Sequence, residues 1–277
     1  MIIDPFLKWP GGKRWLMAQH SYLLPTQFNC YVEPFLGSGA VFFRVAPKIC
    51  ILADTNKELI QAYQCVRDDW PTLDAILQEY QVKHSEKFYY KLRDCEPIGK
   101  AQRAARFIYL NRTCFNGMYR VNRAGKFNVP IGTKVAVAFT PGYLKRVSKH
   151  LSGARLKVYD FEKTLDLASE GDFAFVDPPY TVMHNNNGFI KYNANLFSWA
   201  DQVRLAAAVK KAAGRGVSIL LTNADHSDIR KLYEGFGEHF QIARSSVLSG
   251  SAHGRRATTE LLVRFFPPVI SARGCTR

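Results

Sequence analysis

The apolar run Phe173-Ala174-Phe175-Val176, followed at once by Asp177-Pro178-Pro179-Tyr180, constrains this chain more than any other stretch. Four successive apolar residues with aromatic and β-branched side chains read as a strand buried on both faces, the pattern of a parallel sheet. Two prolines must then end the ladder, because neither has an N–H to donate and both have a fixed φ. The stretch therefore predicts a stiff corner at the carboxyl end of a parallel strand, the place where open α/β sheets bind ligands. That corner carries a carboxylate (Asp177), a carbonyl without a sheet partner (Pro178) and a flat ring (Tyr180). A planar amine such as adenine N6 suits this set, with two accepted hydrogen bonds and a stacking face. An ordinary Pro-rich turn suits it too, so the rest of the chain has to decide.

A length of 277 residues fits one large α/β domain or a domain with a substantial insertion, and an apolar content of 47% is ample for a packed core. The formal charge of +15 favours a polyanionic partner, although a basic but generic enzyme would also carry it. The positive residues are spread along the chain and form no basic amphipathic helix, which argues against a membrane surface. Neither a signal peptide nor an apolar run of membrane-spanning length is expected. Six cysteines, with no CxxC pair and no Cys/His spacing of a zinc site, are expected to be reduced thiols in a cytoplasmic protein that needs no metal.

Along the chain, Tyr31-Val32-Glu33 is a short strand candidate, and Gly37-Ser38-Gly39 a turn leading into a helix that starts near Ala40. This is the first half of a nucleotide-binding βαβ unit. The next strand, Ile49 to Ala53, ends on Asp54, a position suited to accepting bonds from ribose hydroxyls. Phe42 stands where a dinucleotide fingerprint needs its third glycine, which disfavours a nicotinamide or flavin enzyme. Helical patterns follow over Glu58–Arg67, Pro71–Glu79 and Lys100–Leu110, then a loop rich in Asn, Arg and aromatics to Pro130. Strands and helices resume with Leu156–Tyr159, Phe173–Val176, the helix Gln202–Ala213 and Val217–Thr222. Strands near Gln241–Ala243 and Glu260–Arg264 complete the pattern. The expected fold is α/β: a Rossmann-like, mostly parallel sheet over residues 1–57 and 146–277, with a helical insertion over 58–145.

Taken in order, Phe6-Leu7-Lys8-Trp9-Pro10-Gly11-Gly12-Lys13, Phe35-Leu36-Gly37-Ser38-Gly39, Asp54, Phe115 to Asn122, Phe127 to Gly132, Tyr159-Asp160-Phe161 and Asp177 to Tyr180 resemble the Dam-type DNA adenine-N6 methyltransferases. The similarity runs from about residue 5 to 266. It implies S-adenosyl-L-methionine as cofactor, double-stranded DNA as substrate, and a catalytic domain whose 58–145 insertion recognises the target.

On that resemblance Asp177, Pro178 and Tyr180 are the catalytic set, and Trp9, Lys13, Phe35, Gly37, Ser38, Gly39, Asp54, Asp160, Phe161 and Asp177 bind the cofactor. Read alone, Asp160 favours a plain strand-end carboxylate. Arg120 is the candidate guanine reader, since a guanidinium can grip O6 and N7 together. Asn116, Met118 and Pro130 are nominated for base or flanking contacts, and Lys8, Arg112, Arg123, Arg255 and Arg256 for phosphates, where a solvated charge is the competing reading. Residues 184–192 read as a lid over the flipped base or as a plain loop. One departure stands out: Thr133-Lys134-Val135 follows Gly132 where the family often carries Arg-Tyr-Lys, which bears on the family's usual target, GATC.

Overall fold

A computed structural model describes residues 3–122, 125–181, 197–245 and 257–267. They divide into two compact units: residues 1–21 with 36–159, and residues 22–35 with 160–277. This cut by compactness differs from the cut by function expected above.

The first unit holds helices α1 (Arg14–Gln19), α2 (Ala40–Val45), α3 (Lys57–Lys83), α4 (Glu86–Arg93), α5 (Lys100–Thr113) and α6 (Tyr143–Leu151). It also holds strands β2 (Cys50–Asp54) and β3 (Ala154–Val158), which pair in parallel from Cys50↔Ala154 to Asp54↔Val158. Helix α3 covers both expected helices, Glu58–Arg67 and Pro71–Glu79. The break between them survives as non-helical backbone at Asp69, two residues before Pro71, whose ring cannot follow a regular turn. Asn56 caps its start by accepting the Leu59 N–H at 3.0 Å. Helices α4 and α6 lie outside the expected set. In α4 the Ser85 hydroxyl accepts the Phe88 N–H at 3.2 Å, while α6 starts after Gly142 with no side-chain cap and buries Leu144, Val147 and Leu151 as one stripe.

The second unit holds β1 (Tyr31–Glu33), α7 (Phe161–Leu165), β4 (Phe173–Val176), α8 (Trp199–Gly214), β5 (Ser218–Ala224), α9 (Ser227–Leu232), β6 (Glu238–Ser245) and β7 (Ala257–Phe265). Strand β4 lies between β1 and β5 and is parallel to both. Strand β5 is also antiparallel to β7, which pairs antiparallel with β6. The parallel strands with helices between them, closed by an antiparallel β6–β7 pair, are the mostly parallel α/β arrangement anticipated from the sequence. All four residues of β4 are buried, as a parallel strand covered on both faces requires. No helix among the described residues is long and apolar enough to cross a membrane.

Asp172, just before β4, is itself buried, and accepts the Cys30 N–H at 3.0 Å and the Ser169 N–H at 2.9 Å. It thus ties the approach to β1 to the approach to β4. Asp172→Ala should leave the buried Cys30 N–H and the part-buried Ser169 N–H without their acceptor and lower stability by about 1–3 kcal/mol, read as a drop in the urea midpoint.

Candidate active site

In the second unit, Val176 pairs with Leu221, so parallel register sets Asp177 beside Thr222 on the same face. The Thr222 hydroxyl donates to Asp177 Oδ1 at 2.7 Å, which anchors one carboxylate oxygen. Tyr180 donates its phenol to Glu260 Oε2 at 2.9 Å, and Glu260 is buried on β7. Burial, reinforced by the carboxylates of Asp177 and Glu260, pushes the Tyr180 phenol well above its ordinary range, so it stays a protonated donor. The corner foreseen after β4 is therefore a held object: its carboxylate and its ring each have a dedicated partner.

The same unit places Phe35 against Phe161, ring centroids 5.7 Å apart and nearly parallel, with Phe197 edge-on to Phe35 at 5.7 Å. Asp160 caps α7, its Oδ1 accepting the Glu162 N–H at 2.8 Å, while Oδ2 lies 3.5 Å from Arg204.

In the first unit, Gly37 and Gly39 adopt positive φ of 46° and 63°, the left-handed backbone that favours glycine. A Cβ on Gly37 would sit 2.7 Å from Trp9 Cδ1, so this turn and the indole pack without a side chain between them. Two N–H groups of the turn have partners within the unit: Gly37 N–H donates to Asp54 Oδ2 at 3.1 Å and Gly39 N–H to the Leu36 carbonyl at 2.7 Å. Asp54 Oδ1 accepts the Asn56 N–H at 2.9 Å. Burial raises the Asp54 carboxyl above its ordinary range, opposed by N–H donation from Asn56, Gly37 and Thr55. Each oxygen, with two lone pairs, retains capacity for a further donor, as a ribose diol would need. Lys13 is buried and donates to the Gly11 carbonyl at 2.9 Å.

Trp9 stacks on Tyr119 with centroids 5.7 Å apart, and Tyr119 in turn hydrogen-bonds Glu58. Lys8 is fixed by a residue the sequence did not announce. Asn111, fully buried at the end of α5, accepts the Lys8 N–H at 2.9 Å and donates to the Lys8 carbonyl at 2.7 Å. Burial and the charges of Arg112 and Lys134 lower the Lys8 ammonium below its usual range. Arg120 Nε donates to Asn128 Oδ1 at 3.1 Å across a small hairpin that Val121 and Phe127 bridge. Arg112 is used inside the fold: it donates to the carbonyls of Ala136 and Ala138 and covers the Phe139 ring at 4.1 Å. Asn116 is exposed with a positive φ of 55°, and Phe115 beside it is also exposed. Met118 and Pro130 flank the same hairpin, half-buried and exposed respectively. Arg123, Arg255, Arg256 and the 184–192 segment lie outside the described residues.

A model of the D12 class N6 adenine-specific DNA methyltransferases matches residues 9–247. This chain belongs to that family. It is an adenine-specific DNA methyltransferase, and DNA is its substrate. It is 36% identical over 271 residues to a protein named type II methyltransferase M1.LlaDCHI from Lactococcus lactis subsp. cremoris, covering 94% of this chain and 95% of that relative. It is 34% identical to the type II methyltransferase M.MjaIII of Methanocaldococcus jannaschii, covering 95% of this chain and 99% of the relative. Identity to the DNA adenine methylase of Escherichia coli K12 is 31%, with 96% of each chain covered.

In this methyltransferase the partners Thr222, Glu260 and Asn111 were missed from sequence because no motif marks them, and Asn128, inside the Phe127 to Gly132 motif, was not singled out. The available signal was polarity out of place, such as Asn111 closing a helix whose neighbours Phe107, Ile108 and Leu110 are all buried. The Gly37 packing is directly testable. Gly37→Ala should lower stability by about 1–3 kcal/mol through strained backbone and overlap with Trp9. Gly11→Ala, at positive φ but with no heavy atom within 4 Å of the new Cβ, should lose less. Equal losses in thermal unfolding would remove the Trp9 contact from the explanation.

Proposed function

We propose that this enzyme transfers the methyl group of S-adenosyl-L-methionine to N6 of an adenine flipped out of duplex DNA, with GATC as its target. The observation that carries this reading is the corner after β4, where Asp177 is anchored through one oxygen beside the held ring of Tyr180. When bound, the cofactor would supply an electrophilic methyl carbon, with its sulfur as the leaving group that keeps the electron pair. Asp177 and the Pro178 carbonyl each accept one N6 hydrogen, which counters delocalisation of the nitrogen lone pair into the ring and points it at the carbon it attacks. As the new N–C bond forms, the amine sheds one proton, which Asp177 accepts and passes to water. Catalysis is thus orientation and fixed electrostatics. Tyr180 is the stacking platform for the extruded base, because an adenine within the duplex cannot reach the corner.

Cofactor roles follow the same residues. Asp54 takes the ribose hydroxyls, Lys13 the carboxylate end, Trp9 and the Gly37–Gly39 turn the methionine portion, and Phe35, Asp160 and Phe161 the adenine ring. The fit is supported by Asp54, a partly buried carboxylate with acceptor capacity beyond its backbone donors. Arg120 reads guanine from the 58–145 recognition segment, with Asn116, Met118 and Pro130 around it and Lys8, Arg255 and Arg256 on phosphates. Arg112 holds residues 136–139 in place. The term type II in two relatives' names supports a role beside a restriction nuclease.

Asp177→Ala should abolish methylation of plasmid DNA while DNA affinity stays within about tenfold, because phosphate contacts supply most of it. Mapping N6-methyladenine on that plasmid tests GATC; near-normal turnover of the variant would overturn the catalytic role. In calorimetry, Asp54→Ala should weaken S-adenosylmethionine binding by about 1.5–3 kcal/mol. The ionised carboxylate is the form that accepts the ribose hydroxyls, so wild-type affinity should fall on acidification, beginning above the ordinary carboxylate range, and Asp54→Asn should flatten that fall. Arg120→Ala should relax discrimination at one base pair by about 1–3 kcal/mol across a panel of singly substituted duplexes. A uniform loss over the panel would reduce it to a phosphate contact.

A further inference from the structure

Beneath the catalytic corner lies a buried polar network that no motif announces. Gln202, on α8, is fully buried, which is unusual for a glutamine and demands partners. Its amide nitrogen lies 3.4 Å from the Pro179 carbonyl and 3.4 Å from the Thr181 carbonyl, the carbonyls of the two residues on either side of Tyr180. Its amide oxygen accepts from Asn223 Nδ2 at 2.9 Å, and Asn223 Oδ1 accepts the Ala224 N–H at 2.8 Å. Asn223 is fully buried as well, and Thr222 beside it is buried against Asp177.

Side chains alternate along β5, so Thr222 and Asn223 point to opposite faces of the sheet. Thr222 pairs with Leu262 and Ala224 with Glu260 on β7, which puts Glu260 on the Thr222 face. The corner is therefore held from both faces. Thr222 and Glu260 hold Asp177 and Tyr180 on one side. Asn223 and Gln202 hold the 179–181 backbone on the other.

We propose that Thr222, Gln202 and Glu260 are positioning residues for methyl transfer. Thr222 holds the Asp177 carboxylate in its rotamer through the bond to Oδ1. Gln202, itself oriented by Asn223, holds the carbonyls of Pro179 and Thr181 on either side of Tyr180, and Glu260 fixes the tilt of the Tyr180 ring. This assignment rests on the reading of Asp177 as the acceptor for N6. A carboxylate displaced by a rotamer change loses alignment rather than affinity, and misplacement of about 1 Å costs on the order of 10²-fold in rate. The prediction is therefore a loss in the chemical step without a matching loss in binding.

The experiment uses the full chain with S-adenosylmethionine and plasmid DNA under single-turnover conditions. Thr222→Val keeps the shape and removes the donor; Thr222→Ser keeps the donor and removes a methyl group. Gln202→Met and Glu260→Gln probe the other two positions. The expected result for Thr222→Val is a fall of about 30- to 100-fold in the single-turnover rate, with cofactor and DNA dissociation constants within about threefold of wild type, and recovery to within about fivefold in Thr222→Ser. Gln202→Met should lower the rate in the same sense, and Glu260→Gln, which retains an acceptor for the phenol, less than Gln202→Met. A Thr222→Val rate within threefold of wild type would overturn the proposal, as would a serine variant no better than valine, or binding that weakens in step with rate. If Thr222→Val does not fold, Thr222→Ser against Thr222→Ala decides on the same criteria. Asp177→Ala serves as reference: if it remains active the N6-acceptor reading itself fails, whereas an inactive Asp177→Ala beside a fully active Thr222→Val defeats only the positioning shell.

Discussion

A strand that runs into two prolines has to leave its sheet, and the chemistry proposed for this methyltransferase follows from where it leaves. Strand β4 pairs with β5 up to Val176 and Leu221; from Pro178 the chain can donate no further ladder bond, whereas β5 continues to Ala224 against β7. The overhang of β5 past the end of β4 sets Thr222 beside Asp177. The antiparallel partner of the overhang then brings Glu260 within reach of Tyr180. Proline chemistry and strand register together create a corner whose functional groups are pinned by neighbours rather than by the loop that bears them.

The first unit shows a different use of rigidity. Its turn at Gly37 spends no side-chain volume, so an indole can lie directly against backbone, and the turn's own N–H groups close onto Asp54 and Leu36. Lys8 and Trp9, adjacent in sequence, are fixed by unrelated means: a buried amide brackets the lysine's peptide, and aromatic stacking on Tyr119 holds the tryptophan. Hydrogen bonds to both the N–H and the C=O of one residue mimic a strand pair, so the segment gains sheet-like definition without belonging to a sheet.

Much of this was legible in the sequence, and the limits have physical reasons. The bounds of β1 and β4 follow from their composition and from the prolines after each of them. Strands β2, β3 and β5 are shifted by one or two residues from expectation, and β6 and β7 run beyond it at both ends, because edge residues such as those at the start of β6 pair through backbone groups that composition does not reveal. Helix α4 was hidden by its aromatic and charged content, although Ser85 gave a cap signal. The stripe Leu144, Val147 and Leu151 of α6 was present but fell at the expected edge of the insertion. The candidate residues for chemistry were visible because they cluster in motifs. Their partners were not: Thr222, Gln202 and Glu260 lie 45, 21 and 80 positions from the groups they contact, and only register and helix packing unite them. Arg112 shows the converse, a charge that reads as available in sequence yet is engaged with two carbonyls and a ring.

The distance of those partners along the chain also sets an order of assembly. As the polypeptide is made, Asp177 and Tyr180 emerge well before β5, and earlier still before β7, the last strand among the described residues. Closing contacts across 45 and 80 positions carries a loop-entropy penalty that local helices do not meet, so pairing of β5 with β7 belongs to the slower part of folding. A nascent chain that has already displayed its motif thus lacks the hydroxyl and the carboxylate that hold it. Competence arrives late, with the docking of β7.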